Sequence, residues 1–224
     1  MPTSLPVRAD ALALMQDWTP SESLRGHMLS VEGAMRAYAA QFGEDVERWG
    51  LAGLMHDFDY ERFPNNAHAA DAEHPSEGVR HLRGLAYPED ILDAILGHAN
   101  YTGVARTSRM AKTLFAVDEL CGLVTACALV RPSKSVIDLE PSSVKKKMKD
   151  KAFARGVSRD DVVNGAAELG VEMDAHIALV IASMREQAAL LGLAGVQGLT
   201  AIQPTSRPVT DQGPARPTDE RLGA

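Results

Sequence analysis

Several apolar helical stripes in this chain carry residues that an apolar stripe does not need. His27 lies three residues after Leu24 and four before Val31, on the side of a stripe formed by Leu24, Met28, Val31, Met35 and Tyr38. His56 follows Gly53 by three residues and Trp49 by seven, and Asp57 comes directly after it. His98 falls on the side of Ile91 and Ile95. Asp118 is embedded in LFAVDELCGL, four after Leu114 and three before Cys121. Taken alone, His27 reads as a satisfied core histidine. An unpaired charge in a core costs about 3–5 kcal/mol, so Asp57 and Asp118 each call for a cation. Inward imidazoles and carboxylates on separate helices are what a bundle uses to build a metal site in its core.

Placing such residues takes helices, and helical periodicity runs through the chain. Thr19, Pro20, Ser21 and Glu22 predict an N-cap at Thr19, proline at the first helical position and a capping-box glutamate. That helix is expected to end at Gly43. A second begins near Glu44 and carries Val46, Trp49, Ala52 and Met55 up to the His56-Asp57 dipeptide. Residues 65–73 read as loop, and Pro75 and Pro88 mark two further helix starts. A long helix is expected from about Ser108 to Val130, stopping before Pro132. One helix opened by Ser158 and another from about Val171 to Leu191 follow. The expectation is a single all-α domain over residues 10–193, a helical bundle with a metal site in its core. Residues 195–224 hold Pro204, Pro208, Pro214 and Pro217 among Gly, Thr and Arg, a composition that reads as a disordered tail.

Composition narrows the classes of function. Acidic residues number 30 against 23 basic ones, a net charge of −7. That balance argues against dedicated nucleic-acid binding, and no aromatic platform is interleaved with the lysines. No apolar run approaches the ~18 residues of a transmembrane helix, and the N-terminus lacks the order of a secretory signal. Cys121 and Cys127 fall on different faces of one helix and cannot pair. The expected setting is cytoplasmic, with neither membrane nor nucleic acid as partner.

The ordered set His27, His56-Asp57 and Asp118 resembles the signature of the HD-domain superfamily of metal-dependent phosphohydrolases, over roughly residues 20–130. The resemblance implies one divalent metal on those four side chains. Members with a dinuclear site add two histidines, one at a helix start and one within the next helix. Carried onto this chain, these are His74, in EHPSEG, and His98. The implied ligands are then His27, His56, Asp57, His74, His98 and Asp118, with Asp57 bridging two metals. Such a set suits Fe, Mn, Zn or Co. A polar helix-start residue is the alternative reading of His74.

The resemblance further implies hydrolysis of a small phosphate ester or nucleotide by a metal-activated hydroxide, with Asp57 in the catalytic machinery. Some dinuclear-iron members resemble oxygenases that cleave a C–C or C–P bond, and the same six ligands serve both chemistries. The turn Phe58-Asp59-Tyr60-Glu61 departs from the glycine-containing turn of many members. Asp59 and Glu61 are both candidates for the proton donor, or for a carboxylate that orients a ligand histidine. Arg131 and Lys134, in RPSKS, follow the Asp118 helix and are expected to hold the phosphate of a small anionic substrate. Lys145, Lys146, Lys147, Lys149 and Lys151 read mainly as a solvated face. His68 and His81 read as loop and surface-helix residues, and His176 lies outside the signature.

Overall fold

The computed structural model describes residues 5–195, so the tail expected over 195–224 lies outside them but for its first residue. Helix α1, Arg8–Trp18, opens the chain. Thr19 does not cap the next helix. It closes α1, its N–H returning to Met15 O, and its buried hydroxyl donates to Phe58 O at 3.1 Å. The cap falls two residues later, where the Ser21 side chain accepts the Leu24 N–H at the head of α2, Glu22–Phe42. The expected frame was displaced because Thr19 ties the α1–α2 junction to the turn that follows α3. Helix α2 ends as expected at Gly43, whose φ of 71° is left-handed.

Asp45 caps α3, Val46–Met55, by accepting the N–H groups of Glu47 and Arg48, and His56 is its C-cap. Pro75 and Pro88 stand one position before α4, Ser76–Gly84, and α5, Glu89–His98, as N-caps. Ser108 caps α6, Arg109–Leu129. Helix α7 covers Pro141–Met148, and Ser158 caps α8, Arg159–Leu169. Helix α9, Met173–Glu186, is shorter than expected, because beyond it the chain turns back until Val136 N–H meets Leu193 O at 2.9 Å. Among the described residues the only strand-like pairing is an isolated bridge between Ser135 and Ala194. None of their helices is long and apolar enough to cross a membrane.

Helix α6 is the axis of the bundle, packed by α2, α5, α8 and α9 and buried around most of its girth. Two close approaches depend on glycine. A Cβ on Gly53 of α3 would lie 2.9 Å from Glu32 Cα of α2, and one on Gly165 of α8 would lie 2.6 Å from Ala116 Cα of α6. Buried Glu32 is held between Arg8 of α1 and Arg36 of its own helix, the latter at 2.9 Å. His176 is a satisfied core histidine. Tyr38 O–H donates to its Nδ1 at 2.6 Å and its Nε2–H donates to Ala116 O at 2.9 Å, joining α9 to α2 and α6. Burial holds its pKa below the ordinary histidine value. Cys121 and Cys127 are both free and buried. Lys145 pairs with Asp174 at 2.6 Å, while Lys146, Lys149 and Lys151 are exposed, as a solvated face should be.

Candidate metal centre

Five segments deliver six side chains to one place. His27 comes from the first half of α2, His56 and Asp57 from the end of α3, and His74 from the approach to α4. His98 is the last residue of α5, and Asp118 sits near the middle of α6. The two oxygens of Asp57 face different neighbours. Its Oδ2 lies 3.3 Å from His56 Nε2 and 3.8 Å from His27 Nε2. Its Oδ1 lies 3.3 Å from His74 Nε2 and 3.5 Å from His98 Nε2. Asp118 joins the first set, with Oδ1 at 2.9 Å from His27 Nε2 and 3.5 Å from His56 Nε2. Two groups of donor atoms with metal-site spacing result: His27, His56 and Asp57, and Asp57, His74 and His98.

The far sides of the rings explain this aim. His56 Nδ1–H donates to Gly53 O at 2.8 Å, and His98 Nδ1–H donates to Ile95 O. His74 Nδ1–H donates to Asp59 Oδ1 at 2.7 Å, and Asp59 is itself fixed by the Gly78 N–H on Oδ2 at 2.6 Å. A proton on Nδ1 leaves a lone pair on Nε2, and each Nε2 points inward. His56 Nε2 is fully buried without a hydrogen-bond partner, and the Nε2 atoms of His74 and His98 confront each other at 3.3 Å. Opposed lone pairs and a buried orphan acceptor are unfavourable in a protein interior. A cation accepting those lone pairs resolves both, so these residues fit a divalent metal with nitrogen and carboxylate ligands. The electrostatics agree. Burial works against the Asp57 and Asp118 carboxylates, yet the imidazoles around them hold both well below the ordinary range. Burial also works against a charged His56, and the same two carboxylates hold its pKa above the ordinary value. Positive charge is what the cluster attracts.

Residues 24–123 match the family model described as the HD domain. This segment is an HD domain. The matched stretch runs from just before His27 to just beyond Asp118 and so encloses all six clustered side chains. HD domains bind divalent metals and belong to a superfamily of metal-dependent phosphohydrolases. Comparison with curated proteins and with solved structures returned no match.

All the clustered residues of this HD domain but the fully buried His56 line a cavity of about 580 Å³, whose wall also includes Tyr60, His68, Tyr101, Glu119 and Asp161. Glu119 Oε2 accepts the Ser158 N–H at 3.1 Å. Burial, with the neighbouring Asp118 carboxylate, pushes the Glu119 carboxyl up to about 7. Neither Glu119 nor His68 stands out from the sequence as a wall residue. Glu119 is one more acid beside Asp118, and His68 is a polar residue in a polar loop. His81, on α4, packs half-buried against the Trp18 ring, 4.5 Å between centroids.

Glu61, Arg131 and Lys134 take places other than those expected, and Asp59 takes one of its two. Glu61 is exposed, and its Oε2 accepts the Ser21 N–H at 3.2 Å, closing the head of α2 instead of lining the cavity. Asp59 is fully buried with both oxygens occupied, so of its two expected roles the geometry matches the orienting carboxylate of His74. Arg131 and Lys134 do not reach the cavity. Thirteen residues of helix and turn carry Arg131 roughly 20 Å along the axis from Asp118, and its guanidinium pairs with Asp138 at 2.8 Å. The phosphate-holding role expected of that pair is not met in this cavity.

Proposed function

We propose that the chain is a metal-dependent phosphohydrolase that holds two divalent cations and cleaves a small phosphate monoester. The observation that carries this reading is the division of Asp57, one oxygen toward His27 and His56 and the other toward His74 and His98. In this reading His27, His56, Asp57 and Asp118 hold one cation, and Asp57, His74 and His98 hold the other. Fe, Mn, Zn and Co all suit such a mixed imidazole and carboxylate set. When bound, the cations supply Lewis acidity, stabilising charge on phosphoryl oxygens and acidifying a water toward neutral pH.

The chain's own residues do the rest. Gly53 O, Ile95 O and Asp59 fix ring orientation by accepting the Nδ1–H protons. Asp57 and Asp118 offset cationic charge, and the cavity has room for a compact ester. With Arg131 and Lys134 remote, the phosphate is held at the metal cluster itself. The test is to load one preparation with Mn and another with Fe, and to assay phosphate release from nucleotide and sugar-phosphate esters with and without dioxygen. Release by the Mn form without dioxygen is expected. Turnover confined to iron with dioxygen would replace hydrolysis with oxidative C–C or C–P cleavage on the same six side chains.

A further inference from the structure

We propose that His68 is the general acid of this site, its imidazolium protonating the oxygen that leaves when the ester is cleaved. This assignment rests on the phosphohydrolase reading above. His68 lines the same cavity as five of the six clustered side chains but stands outside the cluster, on the loop between Asp59 and His74. Its ring is exposed, and among the described residues neither ring nitrogen is hydrogen-bonded.

The ring is nonetheless held in place. It stacks on Tyr101 with centroids 4.8 Å apart and planes 29° from parallel. Tyr101 in turn accepts from Asn65 Nδ2 at 3.1 Å and donates its own hydroxyl proton to His74 O, which ties the stacking partner to the backbone beside the cluster. The loop is clamped from the other side. The Glu73 carboxylate accepts the N–H groups of Ala67 at 3.1 Å and Ala69 at 2.9 Å, the two residues that flank His68. His68 itself has a φ of 51°, a left-handed conformation that is unfavourable for a non-glycine residue. A clamp, a strained backbone and a stacking partner together present one unclaimed imidazole to the cavity.

Three other groups of suitable chemistry near the cluster are engaged. Both oxygens of Asp59 are bonded, Glu61 accepts the Ser21 N–H, and the Tyr101 hydroxyl is spent on His74 O. The rivals that remain on the cavity wall are Glu119 and Asp161, each with one carboxylate oxygen uncommitted, and the Tyr60 hydroxyl.

A water oxygen bonds to phosphorus as the ester P–O bond breaks, and the electron pair of that bond goes to the ester oxygen. This oxygen takes the proton from the His68 imidazolium, giving a neutral alcohol and a neutral imidazole. The attacking water keeps one proton on the product, hydrogen phosphate, and releases the other to solvent, from which His68 is reprotonated.

A general acid matters in proportion to how poorly the group leaves unaided. The experiment compares wild type, His68→Gln, His68→Asn and Glu119→Gln in the Mn-loaded protein. Two esters are used, glycerol phosphate, with a poor alkoxide leaving group, and para-nitrophenyl phosphate, whose phenolate leaves without a proton. Both His68 variants should lower kcat on glycerol phosphate by about 100-fold and on the nitrophenyl ester by less than about threefold, with metal content unchanged. Equal losses on the two esters, or no loss on either, overturn the assignment, because a binding or structural role does not sense the leaving group. A leaving-group-selective loss in Glu119→Gln and not in the His68 variants also overturns it. Wild type that releases phosphate from neither ester overturns the phosphohydrolase reading, and the assignment falls with it.

Discussion

Asp57 is the side chain on which both halves of the HD-domain cluster depend, because each of its oxygens faces a different pair of imidazoles. Asp57→Ala should therefore abolish binding of both metal equivalents together with activity. His98→Ala, which removes a donor from one half only, should lose a single equivalent. Metal analysis after gel filtration reads both, and a His98→Ala protein that still holds two equivalents would show that the second site is built from other residues. Asp59→Asn acts at one remove. It takes the anchoring carboxylate from His74 Nδ1 without touching the donor set, and such outer partners are typically worth about 10- to 100-fold in metal affinity. His27, His56, His98 and Asp118 were legible in the sequence because each interrupts an apolar helical pattern, Asp57 because it follows His56 directly, and His74 only through the family resemblance. Glu119 and His68 were not, since no periodicity distinguishes a wall residue of a cavity from an ordinary polar position. Asp59 and Glu61 were legible only as a pair. Which of them turns inward depends on the Gly78 N–H and on the Ser21 cap, and neither contact is local in sequence.

At the level of helices, the frame of the site is the close contact between α2 and α3. Gly53 serves it twice, by admitting α2 to within 2.9 Å of where a Cβ would be and by offering its carbonyl to His56. Gly53→Ala should lower stability by about 1–3 kcal/mol through overpacking against α2 backbone. It should also weaken metal binding, as calorimetry and a metal titration would register. Glu32→Ala removes the carboxylate that joins Arg8 of α1 to α2 and should cost about 1–2 kcal/mol, since Arg8 is partly exposed and Arg36 keeps its pair with Glu47. Caps and glycine stops made most helix ends readable: Gly43, Ser108 and Ser158 all act as their sequence context suggests. The expectation failed at Thr19, where two capping candidates lay two residues apart and a tertiary bond to Phe58 O decided between them. It failed again at Arg131, because adjacency to the Asp118 helix in sequence is not adjacency to Asp118 when the helix is long.

For the molecule as a whole, stability should depend on pH through His176, which is neutral in the folded chain. Its folded pKa lies below the unfolded value of about 6.5. As pH falls below that value the unfolded chain takes up a proton that the folded one refuses, so this residue's contribution is present at neutral pH and is lost on acidification. His176→Gln should consequently be most damaging near neutrality, and its deficit relative to wild type should shrink toward pH 5. Urea denaturation across that range measures it, and a deficit that grows on acidification would contradict a neutral His176. The arrangement of the six side chains has a separate consequence for the chain's topology. They lie on segments spread from α2 to α6, so ions bound there act as staples that close the intervening stretches into loops. The stretch between Asp57 and His98, with exposed Pro64, Asn66 and Ala67 near its middle, would be tethered at both ends by the same cluster. Removing the ions with a chelator should then expose it to proteolysis at residues 64–67 well before the bundle around α6 unfolds, and limited digestion with and without chelator would map that first cut.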